Sequence, residues 1–136
     1  MKYAQLSFFS LGLYAIGCIV EHSCLPNCHF TFDKKNGFKL TVRAAKDIHK
    51  GEHIATCYSN ITWGTQQRQQ QLQEMKYFRC SCKRCEDPIE LGTHFSSLKC
   101  LGMDDGEKCD GLQDPSKSHE EWTCNKCPAR VSAEEV

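Results

Sequence analysis

Apolar positions along this chain fall in short alternating runs, so the pattern predicts small strands more than long helices. His29-Phe30-Thr31-Phe32 reads as a strand and Phe38-Lys39-Leu40-Thr41-Val42-Arg43 as its returning partner. The Asn-Gly pair inside Asp33-Lys34-Lys35-Asn36-Gly37 marks the turn of this β-hairpin. Residues 45–51 form a polar connector, and Glu52 to Tyr58, carrying Ile54 and Thr56, reads as one more brief strand. From about Thr62 to Phe78 helix formers take over, with Arg68, Leu72 and Met75 as a thin stripe and the glutamines as a solvated face. Asp87-Pro88-Ile89-Glu90 then predicts a second, brief helix with an N-cap, Pro at N1 and an acid at N3, ending near Gly92. The fold class expected is mainly β with short helices, an α+β arrangement.

Composition narrows the picture. At 136 residues the chain forms one modest domain near the size at which a single apolar core stops being sufficient without staples. Seventeen basic and seventeen acidic residues cancel, so no global field points to nucleic acid or an anionic membrane, and direct binding to either is not expected. The apolar run Leu6 to Val20 after Met1-Lys2 resembles a signal peptide, with small residues at Ala15-Ile16-Gly17-Cys18. Ser7, Ser10, Gly12 and Tyr14 interrupt it, and it is short for a membrane span. A secreted cysteine-rich protein is therefore an alternative reading. Against it stand the odd count of eleven cysteines and their clustering, which suit reduced, metal-binding thiols in the cytoplasm or nucleus.

Cys80, Cys82 and Cys85 form a C-x-C-x2-C cluster within KYFRCSCKRCEDP. Thiols this close strain a mutual disulfide but suit three corners of a tetrahedral zinc site, whose fourth ligand comes from elsewhere in the chain. After Lys99, Cys100 and Cys109 flank an acidic loop and Cys124-Asn125-Lys126-Cys127 follows Trp122, which reads as a second zinc knuckle. The expectation is about two zinc ions per chain. Cys18, Cys28 and Cys57 read as small buried apolar residues.

Three ordered motifs, EHSCLPNC, GEHIATCY and the helix ending in FRCSCKRC, together resemble the C-terminal half of a SET domain followed by its post-SET zinc cluster. The similarity is to the SET and MYND (Smyd) family, carried by His22-Ser23-Cys24, Pro26-Asn27-Cys28, Gly51-Glu52, Tyr58, Phe78 and the clustered cysteines. EDPIELGTHFSSLKC with the second C-x2-C resembles the arthropod-type members. The resemblance implies a partial SET fold with a knot-like crossing near His22 and Tyr58. It divides the chain into the SET part at 1–60, a helical linker and post-SET cluster at 61–99, and a second knuckle and tail at 100–136.

The resemblance also implies an S-adenosylmethionine-dependent protein-lysine methyltransferase acting on a protein that presents a lysine. It makes Cys24 the fourth ligand to the Cys80, Cys82, Cys85 site and Tyr58 the residue that orients the acceptor amine. His22 lies in the segment whose backbone meets the cofactor's adenine, and Phe78 packs against that ring. Glu21 stands where the family has Asn, so it alters the cofactor-binding segment, and Lys76 stands where a Tyr often sits. The family's upstream Gly-x-Gly strand and MYND cluster are not in this sequence, so it reads as a fragment of a longer enzyme. A catalytically inactive zinc module for protein interaction, built on the same scaffold, is the competing expectation.

Overall fold

The computed structural model describes residues 12–102 and 108–135. Of the apolar run, Leu6 to Leu11 lies outside the described residues. Its remainder holds a single 3-10 turn at Gly17–Ile19, and no described helix is long and apolar enough to cross a membrane. Three small sheets follow. β1 (Glu21–His22) pairs in parallel with β4 (Ala55–Thr56), with Glu21 opposite Ala55 and His22 opposite Thr56. Between them β2 (Cys28–Asp33) and β3 (Lys39–Ala44) form the expected antiparallel hairpin. Its loop is longer than a two-residue Asn-Gly turn, with Gly37 and Phe38 both left-handed. The third sheet orders β5 (Leu98–Lys99), β6 (Leu112–Pro115), β7 (Glu121–Cys124) and β8 (Arg130–Ser132) as an antiparallel meander.

The strand expected over Glu52 to Tyr58 is only the two residues of β4, because Asn27 does the rest of the pairing. This buried side chain donates from Nδ2 to the His53 carbonyl at 2.7 Å and accepts the Ala55 amide at 2.9 Å, acting as a short stretch of ladder. Its own amide bonds the Ala55 carbonyl and its carbonyl accepts from Ala45. A central Asn therefore locks β4 beside the start of the hairpin, which explains the local need for Pro26-Asn27-Cys28.

α1 spans Thr65–Lys76 and stops where Tyr77 turns left-handed at φ 61°. The stripe it buries is Thr65, Arg68 and Leu72. Met75 departs from the expectation, since it is 62% exposed at the helix end, where its sulfur accepts from Gln71 Nε2 at 3.8 Å. The second helix also differs. The helical turn α2 is Lys83–Glu86, ahead of Asp87, and the segment after it cannot be helical because Glu90, Leu91 and Gly92 all have positive φ. Asp87 does cap amides, of Ile89 at 3.1 Å and Leu91 at 2.9 Å, but in a turn.

The reason is the Glu90 side chain. It is 0% exposed and points into the protein, where its carboxylate accepts from Arg68 Nη1 at 2.5 Å, Arg84 Nε at 2.9 Å, Ser96 Oγ at 2.5 Å and the Thr65 amide at 2.9 Å. The last contact places a carboxylate at the N-terminus of α1, where Gly64 has no side chain to cap it. A Cβ at Gly64 would lie 2.7 Å from Ser96 Oγ, so the position needs Gly for close approach. Arg68 Nη2 also reaches Thr65 Oγ1 at 2.9 Å, and Arg84 Nη1 reaches the Ile61 carbonyl at 2.8 Å. Among the described residues the buried apolar set is only Cys24, Cys28, Ala55, Leu72, Cys100 and Trp122, so this ionic cluster occupies much of the centre.

Burial pushes the Glu90 carboxyl up, but bonds from Ser96, Arg68 and Thr65 outweigh it and hold it below the usual range. A depressed folded pKa means that stabilisation is complete above the unfolded value of about 4.3 and fades as pH falls through the folded one. Glu90→Gln is expected to cost about 3–5 kcal/mol, because two buried guanidiniums lose their partner, whereas Met75→Ala is close to neutral. Urea unfolding at neutral pH checks both. The Glu90→Gln protein should also lose less stability than the parent on acidification.

Candidate metal centre and aromatic site

Cys24 follows β1, while Cys80 and Cys82 precede α2 and Cys85 lies within it. Their four sulfurs come within 4.8 Å of one another, with Cys24 and Cys85 3.5 Å apart. The sulfurs of Cys100, Cys109, Cys124 and Cys127 do the same, with Cys100 to Cys127 at 3.6 Å and Cys109 to Cys124 at 3.7 Å. A disulfide needs about 2.05 Å. Tetrahedral zinc with bonds of about 2.3 Å sets sulfurs roughly 3.8 Å apart. All the cysteines are free, and both expected quartets assemble with a geometry that fits zinc, the second foreseen from spacing and the first from the spacing of Cys80, Cys82 and Cys85 with Cys24 added by the resemblance.

The surroundings fit a metal as well. In the second quartet the amides of Gly102, Gly111 and Lys126 donate to the sulfurs of Cys100, Cys109 and Cys124 at 3.5, 3.3 and 3.3 Å, which stabilises thiolate. The Lys126 amide leads the lowering of Cys124 to about 6. Gly111 closes this cradle, since a Cβ there would sit 2.6 Å from Cys124 Sγ. In the first quartet, Cys85 is lowered to about 5 by its bond to Cys24 and then by Arg68, whose Nη2 lies 3.6 Å away. Cys24 is pushed up in turn by its bonds to Cys57 and Cys85.

Two supporting residues left no signal in the sequence motifs. Gln69, counted among the solvated glutamines, is half-buried and clamps the cysteine loop. Its Nε2 donates to the Cys80 carbonyl at 2.6 Å and its Oε1 accepts the Cys80 amide at 2.9 Å. Cys57 lies against Cys24 as a fifth thiol and bonds the Ser59 carbonyl at 3.2 Å. Only Cys28 matches the expectation of a buried apolar cysteine. Cys57 is half-buried and Cys18 is exposed, its thiol bonding the Ala15 carbonyl of its own turn at 3.3 Å.

The parallel pairing of β1 and β4 sets His22 beside Tyr58, with ring centroids 5.1 Å apart, and Phe78 meets the other side of His22 at 5.6 Å. The Tyr58 amide donates to His22 Nδ1 at 3.0 Å, so that nitrogen must be unprotonated. Nε2 therefore carries the hydrogen and points at Cys24 Sγ, 3.4 Å away. Burial lowers the His22 pKa and keeps this neutral tautomer in place. His22 is thus a donor to a metal-ligand sulfur and a neighbour of Tyr58 at once.

Tyr58, 38% exposed, donates its hydroxyl to the Val20 carbonyl. Burial, then the Glu21 charge, raises its pKa and keeps it a neutral phenol. Glu21 itself is exposed and its carboxylate lies 2.9 Å from His53 Nδ1, so its charge is met at the surface. The Lys76 ammonium sits 5.7 Å from the Tyr58 ring centroid.

The protein is expected to carry about two zinc ions by elemental analysis. Cys82→Ser should drop one and unfold the post-SET loop, while Cys57→Ser keeps both. Gly111→Ala should drop the other, and near-complete retention of metal in that variant would show the second quartet to be mis-assigned.

Comparison with known proteins agrees with this geometry. The SET domain family matches residues 4–59, so the apolar run at 6–20 lies inside the match. The chain is 40% identical over 119 residues to the SET domain-containing protein SmydA-8, isoform A, of Drosophila melanogaster, covering 85% of this chain and 24% of that protein. It is 36% identical over 83 residues to the histone-lysine N-methyltransferase SMYD3 of Homo sapiens, covering 61% of this chain and 19% of that one. For the N-lysine methyltransferase SMYD2-B of Danio rerio the figures are 37% over 81 residues, 60% and 18%. The chain spans about a quarter or less of the length of these relatives. With a SET match, these relatives and two cysteine quartets in place, the chain belongs to the Smyd family of SET-domain proteins.

Proposed function

We propose that these residues form the acceptor-side half of a protein-lysine methyltransferase that uses S-adenosylmethionine. The observation that carries the reading is the aromatic set of Tyr58, His22 and Phe78 beside a four-thiol site, with His22, Cys24 and Tyr58 inside the SET match and Phe78 and the other three cysteines just after it. Relatives described as lysine methyltransferases support it.

S-adenosylmethionine supplies an electrophilic methyl group on a sulfonium. What the protein must add is alignment and dehydration of a lysine amine, whose free pKa of about 10.4 keeps it charged in water. Tyr58 is a neutral phenol whose oxygen can accept a hydrogen bond from that amine while its own hydrogen stays on the Val20 carbonyl. The amides of Glu21 and Ser23 bond β4, so the intervening His22 amide faces the opposite strand edge, where an adenine can meet it. The Phe78 ring lies against the same segment and offers that base a stacking face. The half-site therefore fits the nucleoside end of the cofactor and the acceptor amine.

The partner is accordingly a protein presenting an exposed lysine, and free thiols in this number support activity in a reducing compartment, cytoplasm or nucleus. An inactive interaction module remains the competing reading because of Glu21, whose carboxylate accepts hydrogen bonds but does not donate them.

The residues by themselves should bind S-adenosylmethionine weakly. The same residues within a polypeptide of the relatives' full length should bind it and methylate core histones or another lysine-bearing protein. There Tyr58→Phe is expected to lower kcat on the order of 10²-fold with cofactor Kd nearly unchanged. Calorimetry showing no cofactor binding in the long polypeptide, even after Glu21→Asn, would turn the reading to the interaction module.

A further inference from the structure

We infer that Lys76 is itself a methyl acceptor, making this site a self-modifying one. This rests on the function proposed above. An amine of this chain already faces the Tyr58 ring: Lys76 Nζ lies 5.7 Å from the ring centroid, over the residue assigned to align an acceptor lysine. Lys76 is the last residue of α1, and Tyr77 turns left-handed immediately after it. The side chain therefore leaves a fixed helix end rather than a loose loop, and it is exposed.

Among the described residues no carboxylate lies within salt-bridge distance of Lys76. Glu74, two positions before it on α1, accepts a bond from Gln70 at 2.9 Å. The other titratable groups around the ring are His22, held neutral against Cys24, and the side chains of Glu21 and Cys18. What holds the ammonium is thus the face of the tyrosine, an attraction that weakens little when methyl groups replace N–H. Tethering also replaces an encounter with a unimolecular approach, which favours this amine over a lysine in solution.

The step balances with a methyl sulfonium as donor. Lys76 Nζ first loses a proton to solvent, and its lone pair then forms the new N–C bond. The methyl–sulfur bond breaks with its electron pair remaining on sulfur, leaving a neutral thioether. The product ammonium stays on the Tyr58 ring.

The test uses the long polypeptide carrying these residues, incubated with methyl-labelled S-adenosylmethionine, alone and with core histones as the probe acceptor. Peptide mass spectrometry is expected to place the label on Lys76, at a first-order rate that does not change across a tenfold range of protein concentration. Lys76→Arg should reduce self-labelling at least about tenfold. Labelled histones with an unlabelled Lys76, or a Lys76 rate that rises with protein concentration, would overturn the inference and leave the proposed function standing. Absence of label on Lys76 and histones alike, with no cofactor binding, would remove both.

Discussion

The sulfur of Cys24 is the point on which the rest of this structure hangs. It sits 61 positions from Cys85 in sequence and 3.5 Å from it in space. It is the one ligand of its quartet outside the cysteine loop, so through it the segment after β1 is tied to α2. A chain with so few buried apolar side chains has little hydrophobic free energy with which to close such a loop. A structural metal held by this quartet would supply that free energy directly, since a site that exists only in the folded state makes its binding energy part of the folding energy.

The ionic cluster answers a problem that a metal in this quartet would create. Four thiolates around a divalent zinc leave two negative charges in excess, and these need donors close by. Arg68 supplies one, sharing its guanidinium between Glu90 and Cys85 Sγ, and neutral His22 supplies another through Nε2. Glu90 in turn holds Arg68 in place and caps the helix that carries it. A buried ion pair of this kind is weak support for stability by comparison with apolar packing, but it fixes direction. It sets the rotation of α1, and that rotation aims Gln69 at the Cys80 backbone.

How much of this was legible in the sequence follows from what each feature depends on. The hairpin was legible because alternation reports a local backbone period, and the second quartet and three ligands of the first were legible because metal geometry constrains spacing, whereas Cys24 was reached only through the family resemblance. Helix-forming composition likewise located α1, though not its buried face: Met75 continued the apolar stripe in sequence but stands exposed at the helix end. The second helix failed for a similar reason. Asp87-Pro88 carries every local signal for a helix start, yet long-range pairing of Glu90 with Arg68 and Arg84 pulls that carboxylate inward and overrides them. Gln69 was hidden among identical neighbours, because only the position of the cysteine loop distinguishes it. The four-stranded tail sheet was hidden by the shortness of its strands, which Trp122 anchors through a bond from Nε1 to the Ser96 carbonyl at 2.9 Å.

These connections make the aromatic site a reporter of the metal. His22 bonds Tyr58 through Nδ1 and faces Cys24 through Nε2, so one imidazole spans the distance between a ligand and the phenol. Phe78 stands two residues before Cys80 on the same loop and packs on that imidazole. Removing the metal would free Cys24 sulfur to take a proton, and His22 Nε2–H would lose the thiolate that orients it. The ring could then turn, and with it would go both the amide that fixes Tyr58 and the face against which Phe78 rests. Stability and alignment therefore share one set of bonds in this protein, and a change that weakens the quartet reaches the phenol through a single side chain.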